Sequence, residues 1–322
     1  SELEERFEDY FGLERGCVAT MSSGTSALVT AVRAHNLPRG SYCALPSWTF
    51  VATAGGVYNS DLIPFFVDVD EQSWVIEPDQ VKQIKDRISC VVVVASFGKP
   101  IDIEKWEKFR DETGVEVIID AAAGFDSFKH DKKFRISKIP IIVSLHATKP
   151  FGVGEGGIVI CEDKEMIFKI KKMSNFGFTP EGIIVRASNS KMSEYSAAVG
   201  HAELDGWEQK RKDFIDLGRK YAAALEGADI EIKNKNMDYA VSSMNIRLNK
   251  THADDALIKL RVAGIEARRW WKKGCHNFKP YLDFPKTPLE NTERLVDSVI
   301  GIPFWLGMED EQINYVSDTI KS

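Results

Sequence analysis

Apolar residues along the chain fall into two patterns. The first is a set of short, largely unbroken runs: Ile63–Val67, Cys90–Ser96, Val115–Ile119, Ile141–Leu145 and Gly157–Cys161, with CVATM at 17–21 as another short strand. Runs that are apolar throughout, with no alternation, predict strands covered on both faces by helices. Between them lie stretches with helix-like patterning, at residues 3–11, 24–36, 50–59, 78–87 and 102–113. Alternation of strand and helix predicts an α/β architecture with a mainly parallel sheet between helices.

The pattern then changes. A charged helical stretch over roughly residues 193–226 leaves this first unit. Beyond it, residues 239–248 read as a strand and 253–263 as a helix. A strand at Ile265–Arg269 and helices near 290–299 and 309–321 follow. The expectation is a large unit over residues 1–206 and a smaller C-terminal α+β unit over 207–322.

Composition narrows the function classes. The 322 residues carry 48 acidic and 42 basic side chains, a net charge of −6, with no basic stripe interleaved with aromatics. That argues against a nucleic-acid binder. No apolar run approaches the ~18 residues that span a membrane. The first residues, SELEERFEDYFG, are acidic and amphipathic, unlike a signal peptide. A cytoplasmic protein is the expectation. The five cysteines and six histidines are scattered, without ligand spacing, so no metal site is expected.

The most informative stretch is SLHATKPFGVGEGG, residues 144–157. It places Lys149 between an apolar strand and a glycine-rich turn, where partial desolvation lowers the pKa of an amine and makes it a nucleophile. Three other segments bear on it. Ser22–Ala27 (SSGTSA) ends a strand, turns at Gly24 and opens a helix with Thr25 and Ser26, an arrangement suited to phosphate or simply to capping. Asp120 closes the run VIID, at the strand end where open α/β sheets place ligands; a helix-capping aspartate is the plainer reading. PSWTF (46–50) offers Trp48 and Phe50 for stacking or for the core. Together, a phosphate cradle, a strand-end carboxylate, an aromatic platform and a desolvated lysine match the needs of pyridoxal phosphate (PLP), whose ring acts as an electron sink while its nitrogen stays protonated.

On SSGTSAL, PSWTFVATA, PFFVDVD, FGKPIDIE, VIIDAAAG, SLHATKPFGVGEGG, SNSKMSEYSAAVGHAEL and AGIEARRWW, the chain resembles the DegT/StrS-type family of PLP-dependent nucleotide-sugar aminotransferases. The resemblance implies the fold type I PLP-transferase architecture, with a seven-stranded-type sheet. By position, Lys149 resembles the Schiff-base lysine and Asp120 the partner of the pyridine nitrogen. Ser144 and the Gly24–Thr25–Ser26 turn resemble the phosphate site, and Phe50 the aromatic stacked on the ring, ahead of Trp48. Asn189 resembles an asparagine that reaches the phosphate of the neighbouring subunit, which implies a homodimer with shared active sites. Arg268 and Arg269 are expected either to meet anionic substrate groups or simply to be solvated.

Three departures stand out. Ala123 and Ala95 occupy positions where the family usually carries Gln or His and His, and the lead before SSGTSAL is shorter than usual, so a compact variant or a missing N-terminal segment is expected. The implied reaction moves an amino group from an amino acid, L-glutamate by resemblance, to the keto sugar of a nucleoside diphosphate. One alternative is a PLP-dependent sugar deoxygenation enzyme, whose relatives tend to carry histidine where Lys149 stands. The other is a sensor that binds PLP or nucleotide sugar without turnover, suggested by the two alanines.

Overall fold

The computed structural model describes residues 1–322. Seven strands build the main sheet: β1 (Val18–Met21), β2 (Tyr42–Pro46), β3 (Ile63–Val67), β4 (Cys90–Val94), β5 (Glu116–Asp120), β6 (Ile141–Ser144) and β7 (Gly157–Ile160). Their order across the sheet is β1-β7-β6-β5-β4-β2-β3. From β6 through β5, β4 and β2 to β3 every pairing is parallel, and β7 runs antiparallel to both β6 and β1. The mainly parallel α/β sheet expected from the unbroken apolar runs is therefore present. In β5, Val117 and Ile119 pack into one buried cluster and Ile118 into another on the opposite face. In a strand, successive side chains point to opposite faces, so both faces demand apolar residues.

The helices of this unit are α1 (Glu2–Phe11), α2 (Gly24–Ala34), α3 (Val51–Asn59), α4 (Pro78–Lys82), α5 (Ile103–Thr113), α6 (Phe125–His130) and α7 (Lys164–Ser174). The helix expected over 78–87 is interrupted: α4 stops at Lys82 and a 3₁₀ turn covers Lys85–Arg87. A small hairpin, β8 (Phe178–Thr179) with β9 (Gly182–Ile183), projects before α8 (Glu194–Ala224). Ser193 caps α8 by accepting a hydrogen bond from the Ser196 amide. The helix runs unbroken through residue 206.

The C-terminal region forms a three-stranded antiparallel sheet, β10 (Ile230–Ile232), β11 (Met244–Leu248) and β12 (Val299–Ile302), with α9 (Ala253–Val262), α10 (Glu290–Ser298) and α11 (Asp310–Lys321). Two expectations change here. The strand read over 239–248 is confined to Met244–Leu248. The stretch at Ile265–Arg269 contributes only a single bridge, Arg268 to Gly301.

An aromatic cluster ties α8 to the main-sheet unit. Phe151 is fully buried, stacked on Phe125 of α6 at 4.2 Å and meeting Trp207 of α8 edge-on at 5.6 Å. Phe151 lies two residues beyond Lys149, so this packing fixes the segment that carries the amine.

Candidate active site

The C-terminal ends of the parallel strands open onto a cavity of about 440 Å³, within the ~300–1,000 Å³ typical of small-molecule sites. Lys149 and Asp120 both line it. Asp120 is the last residue of β5, in register with Ile142 of β6. Beyond Ser144 the chain turns sharply: the Ala147 amide donates to the Gly154 carbonyl at 2.8 Å, and the Lys149 amide to the His146 carbonyl at 2.8 Å. The glycine run is needed because β7 must return beside α2. A Cβ on Gly157 would lie 2.5 Å from the Ser23 carbonyl oxygen, and one on Gly24 would lie 2.7 Å from the Ser144 Cβ. Only bare backbone lets the three segments converge.

This convergence builds an anion cradle. Ser23 caps α2, accepting from the Ser26 amide at 3.0 Å. The amides of Gly24 and Thr25, the first two of the helix, have no intrahelical partner and sit at the positive end of its dipole. Ser144 packs directly beside Gly24 and lines the same cavity. Ser26, expected alongside, is committed elsewhere: its hydroxyl bonds Ser22, Ser23 and the Ser23 backbone, and it does not line the cavity.

Burial shapes the electrostatics. Desolvation pushes the Asp120 carboxyl above its ordinary pKa, opposed by the hydrogen bond from Thr53, the charge of Lys149 and the amide of Ala122. Desolvation likewise lowers the Lys149 pKa, opposed by the charge of Asp120. Thr53 Oγ1 donates to Asp120 Oδ2 at 2.8 Å, and Thr49 Oγ1 lies 2.9 Å from Thr53 Oγ1. Because the Thr53 proton is committed to the carboxylate, Thr49 is the donor in that pair. This relay was not anticipated. The signal lay in SWTFVAT, where hydroxyls four residues apart share one face at the start of α3.

Phe50 lies in the cavity wall with 59% of its surface exposed, as expected of a platform. Trp48 is 2% exposed and packs edge-on against Trp271 at 5.0 Å, outside the cavity. Ala95 and Ala123 both line the cavity. Arg268 and Arg269 do not: Arg268 pairs with Glu266 at 2.7 Å and Arg269 with Asp254 at 3.0 Å. Their neighbours Trp270 and Trp271 face the cavity instead, with Ser242 and Ser243. His146, also overlooked in the sequence, lines it too, with Nδ1 2.9 Å from Thr148 Oγ1 and Nε2 3.5 Å from Glu155. Asn189 is exposed, bridged through its backbone to Asn175, and lies outside the cavity of its own chain.

The residues suit PLP: an amine and a buried carboxylate share one cavity with a bare-backbone anion cradle. Comparison with known proteins agrees. The dTDP-4-amino-4,6-dideoxy-D-glucose transaminase of Shigella dysenteriae is 28% identical over 99% of this chain and 88% of that protein. The GDP-perosamine synthase of Vibrio cholerae is 24% identical, covering 99% of this chain and 90% of its own length. DesI, crystallised in the presence of its TDP-sugar product, superposes with a TM-score of 0.87 at 28% identity, over 99% of this chain and 83% of that one. The sequence profile of the DegT/DnrJ/EryC1/StrS aminotransferase family matches residues 1–321, and the chain belongs to that family.

Proposed function

We propose that the protein transfers an amino group from an amino acid, L-glutamate in the simplest case, to the keto sugar of a nucleoside-diphosphate sugar. The observation that carries this reading is the meeting of Lys149 and Asp120 in one cavity with the α2 cradle. In that cavity Lys149 would carry PLP, Asp120 would face its ring nitrogen, and Gly24, Thr25 and Ser144 would hold its phosphate. Ser26 contributes by fixing the helix start. Phe50 would lie against the ring. PLP supplies an aldehyde that captures amines and a pyridinium that accepts an electron pair from the substrate carbon.

The chain's own groups do the rest. Asp120, hydrogen-bonded by Thr53 and by the Ala122 amide, keeps a proton on the ring nitrogen. Lys149, its pKa lowered by burial, takes a proton from the α-carbon of the donor as general base. In the second half of the cycle it returns a proton to the former carbonyl carbon of the sugar. Trp270 and Trp271 wall the cavity with apolar surface, which limits water around the reacting carbon.

The relatives named above act on nucleotide-linked amino sugars by their names, which supports the acceptor class. The exposed position of Asn189, away from its own cavity, suits an asparagine that reaches the phosphate of a second copy; the working unit is then a homodimer with shared sites. Exposed Phe178, Ile183 and Ile184 on the neighbouring hairpin offer apolar surface for such an interface. The test is a panel of keto sugar nucleotides assayed with glutamate, with 2-oxoglutarate and the amino sugar followed by mass spectrometry. Transfer to simple keto acids but to no sugar nucleotide would overturn the acceptor assignment.

A further inference from the structure

A turn of the C-terminal region, Cys275–Asn277, grips the segment that carries Thr49 and Phe50 to the cavity. The Cys275 amide donates to the Ser47 carbonyl at 2.9 Å, and the His276 amide to Ser47 Oγ at 3.1 Å. His276 Nδ1 lies 2.7 Å from the same Oγ, and Cys275 Sγ donates to the Thr49 carbonyl at 3.5 Å. All four residues are buried. Gly274 opens the turn at φ +76°, and a Cβ there would come 3.2 Å from both Ser47 Oγ and His276 Nδ1. The left-handed backbone and the close approach both call for glycine. Past the turn the chain is pinned to β3, where the Phe66 amide donates to the Pro285 carbonyl and the Thr287 amide to the Phe66 carbonyl, each at 2.9 Å.

The protons in this contact follow from its partners. Ser47 Oγ accepts from the His276 amide, and the His276 ring is the acceptor its own proton meets. The hydroxyl therefore donates to Nδ1, and the neutral ring keeps its proton on Nε2, 4.0 Å from Glu293. Burial holds the pKa of the ring below its ordinary value; Glu293 and Asp68 oppose this and Lys286 adds to it. The Cys275 thiol beside it is pushed up to about 12 by burial and stays neutral. Protonating the ring would aim two N–H groups at one Oγ and strand the hydroxyl proton in a buried site, which is costly. The contact suits a neutral imidazole.

His276 does not line the cavity, so its effect there passes through Ser47. The Ser47 carbonyl also accepts from the Thr49 amide at 3.0 Å, which ties Thr49 to the same anchor. Thr49 Oγ1 in turn donates to Thr53, and Thr53 to Asp120. A hydroxyl that accepts one hydrogen bond donates the next more strongly. Holding Ser47 in place therefore strengthens the bond that keeps the buried Asp120 carboxylate charged.

We propose that His276 is a positioning residue, which locks Ser47 and thereby aims the Thr49–Thr53 relay at Asp120. The inference rests on the reading of Asp120 as the partner of the PLP ring nitrogen and adds the device that governs its charge. The test follows the Asp120 carboxyl by NMR in the full-length protein free of PLP, with aspartates isotope-labelled at the carboxyl carbon and the signal assigned by Asp120→Asn. In His276→Leu the titration midpoint should rise by about 0.3–1 pH unit, because the relay opposes the effect of burial. His276→Asn, whose side-chain oxygen can stand where Nδ1 stands, should restore the wild-type midpoint. Ser47→Ala should raise the midpoint as His276→Leu does, and the double variant should raise it no further. In the PLP-loaded enzyme His276→Leu should lower kcat with glutamate and leave KM nearly unchanged. An unmoved midpoint in Ser47→Ala or in folded His276→Leu overturns the proposal, even where folding stability falls. So does a midpoint in His276→Asn as high as in His276→Leu. A shifted midpoint in a protein that transfers no amine would uphold the positioning role and refute the transaminase reading.

Discussion

Replacing Thr53 by valine isolates the electrostatic support of Asp120, because the two side chains have nearly the same shape. The substitution removes the 2.8 Å hydrogen bond to a carboxylate that is 7% exposed. Hydrogen bonds to charged groups contribute about 1.5–3 kcal/mol net. It also leaves the buried Thr49 hydroxyl without its acceptor, a penalty of about 1–3 kcal/mol. The extra methyl returns about 0.8 kcal/mol of apolar burial. A net loss of about 2–5 kcal/mol is expected in urea unfolding of the apoprotein.

The pH dependence has a definite sign. Burial holds the folded-state pKa of Asp120 above its unfolded value, so the native state binds more protons and stability falls as pH rises through that window. Thr53 opposes the shift, and its loss widens the window. The gap between wild type and Thr53→Val should therefore grow as pH rises above the unfolded carboxylate range of about 4. In a double-mutant cycle the same change should cost at least about 1 kcal/mol less in an Asp120→Asn background. Additive losses, or a gap independent of pH, would refute the relay.

Asp120→Asn removes the charge that raises the Lys149 pKa and leaves the desolvation that lowers it, so the amine should titrate at still lower pH; peptide mapping of Lys149 labelling by an amine reagent against pH checks the direction. The same variant should slow both half-reactions, each 1.36 kcal/mol of barrier being about tenfold. Phe151→Ala should destabilise the fold by about 3–5 kcal/mol, measured by denaturation, because a fully buried ring inside an aromatic cluster is lost. Mixing Lys149→Ala with Asn189→Ala subunits should recover activity that neither homodimer shows, since one of the two sites then carries neither defect; no recovery in verified mixed dimers would contradict site sharing.

Much of the site could be read from the chain because it is built from contiguous motifs. Lys149, Asp120 and the Gly24–Thr25 turn each sit at a strand end flagged by an apolar run, and all three meet in the cavity. What escaped depends on tertiary context. β2 (Tyr42–Pro46) carries no β-branched residue and ends in proline, yet it lies between β3 and β4. β12 (Val299–Ile302) follows α10 without a break, so the helix expected near 290–299 runs over its first residue and the strand itself goes unread. Residues 239–243 looked like the start of a strand and instead bring Ser242 and Ser243 to the cavity wall. The arginines of ARRWW drew attention by charge, but the C-terminal region turns them to Glu266 and Asp254 and gives the tryptophans to the cavity. Thr49 and Thr53 gain meaning only once Asp120 lies beside them.

The central claim is that Lys149 is the amine that holds the cofactor. Treating the PLP-loaded protein with borohydride, digesting it and mapping the peptides by mass spectrometry tests that claim directly. The account predicts a pyridoxyl group on Lys149, within the peptide that contains HATKPFG, and on no other lysine. A modified lysine elsewhere in the chain, or none at all, would contradict it.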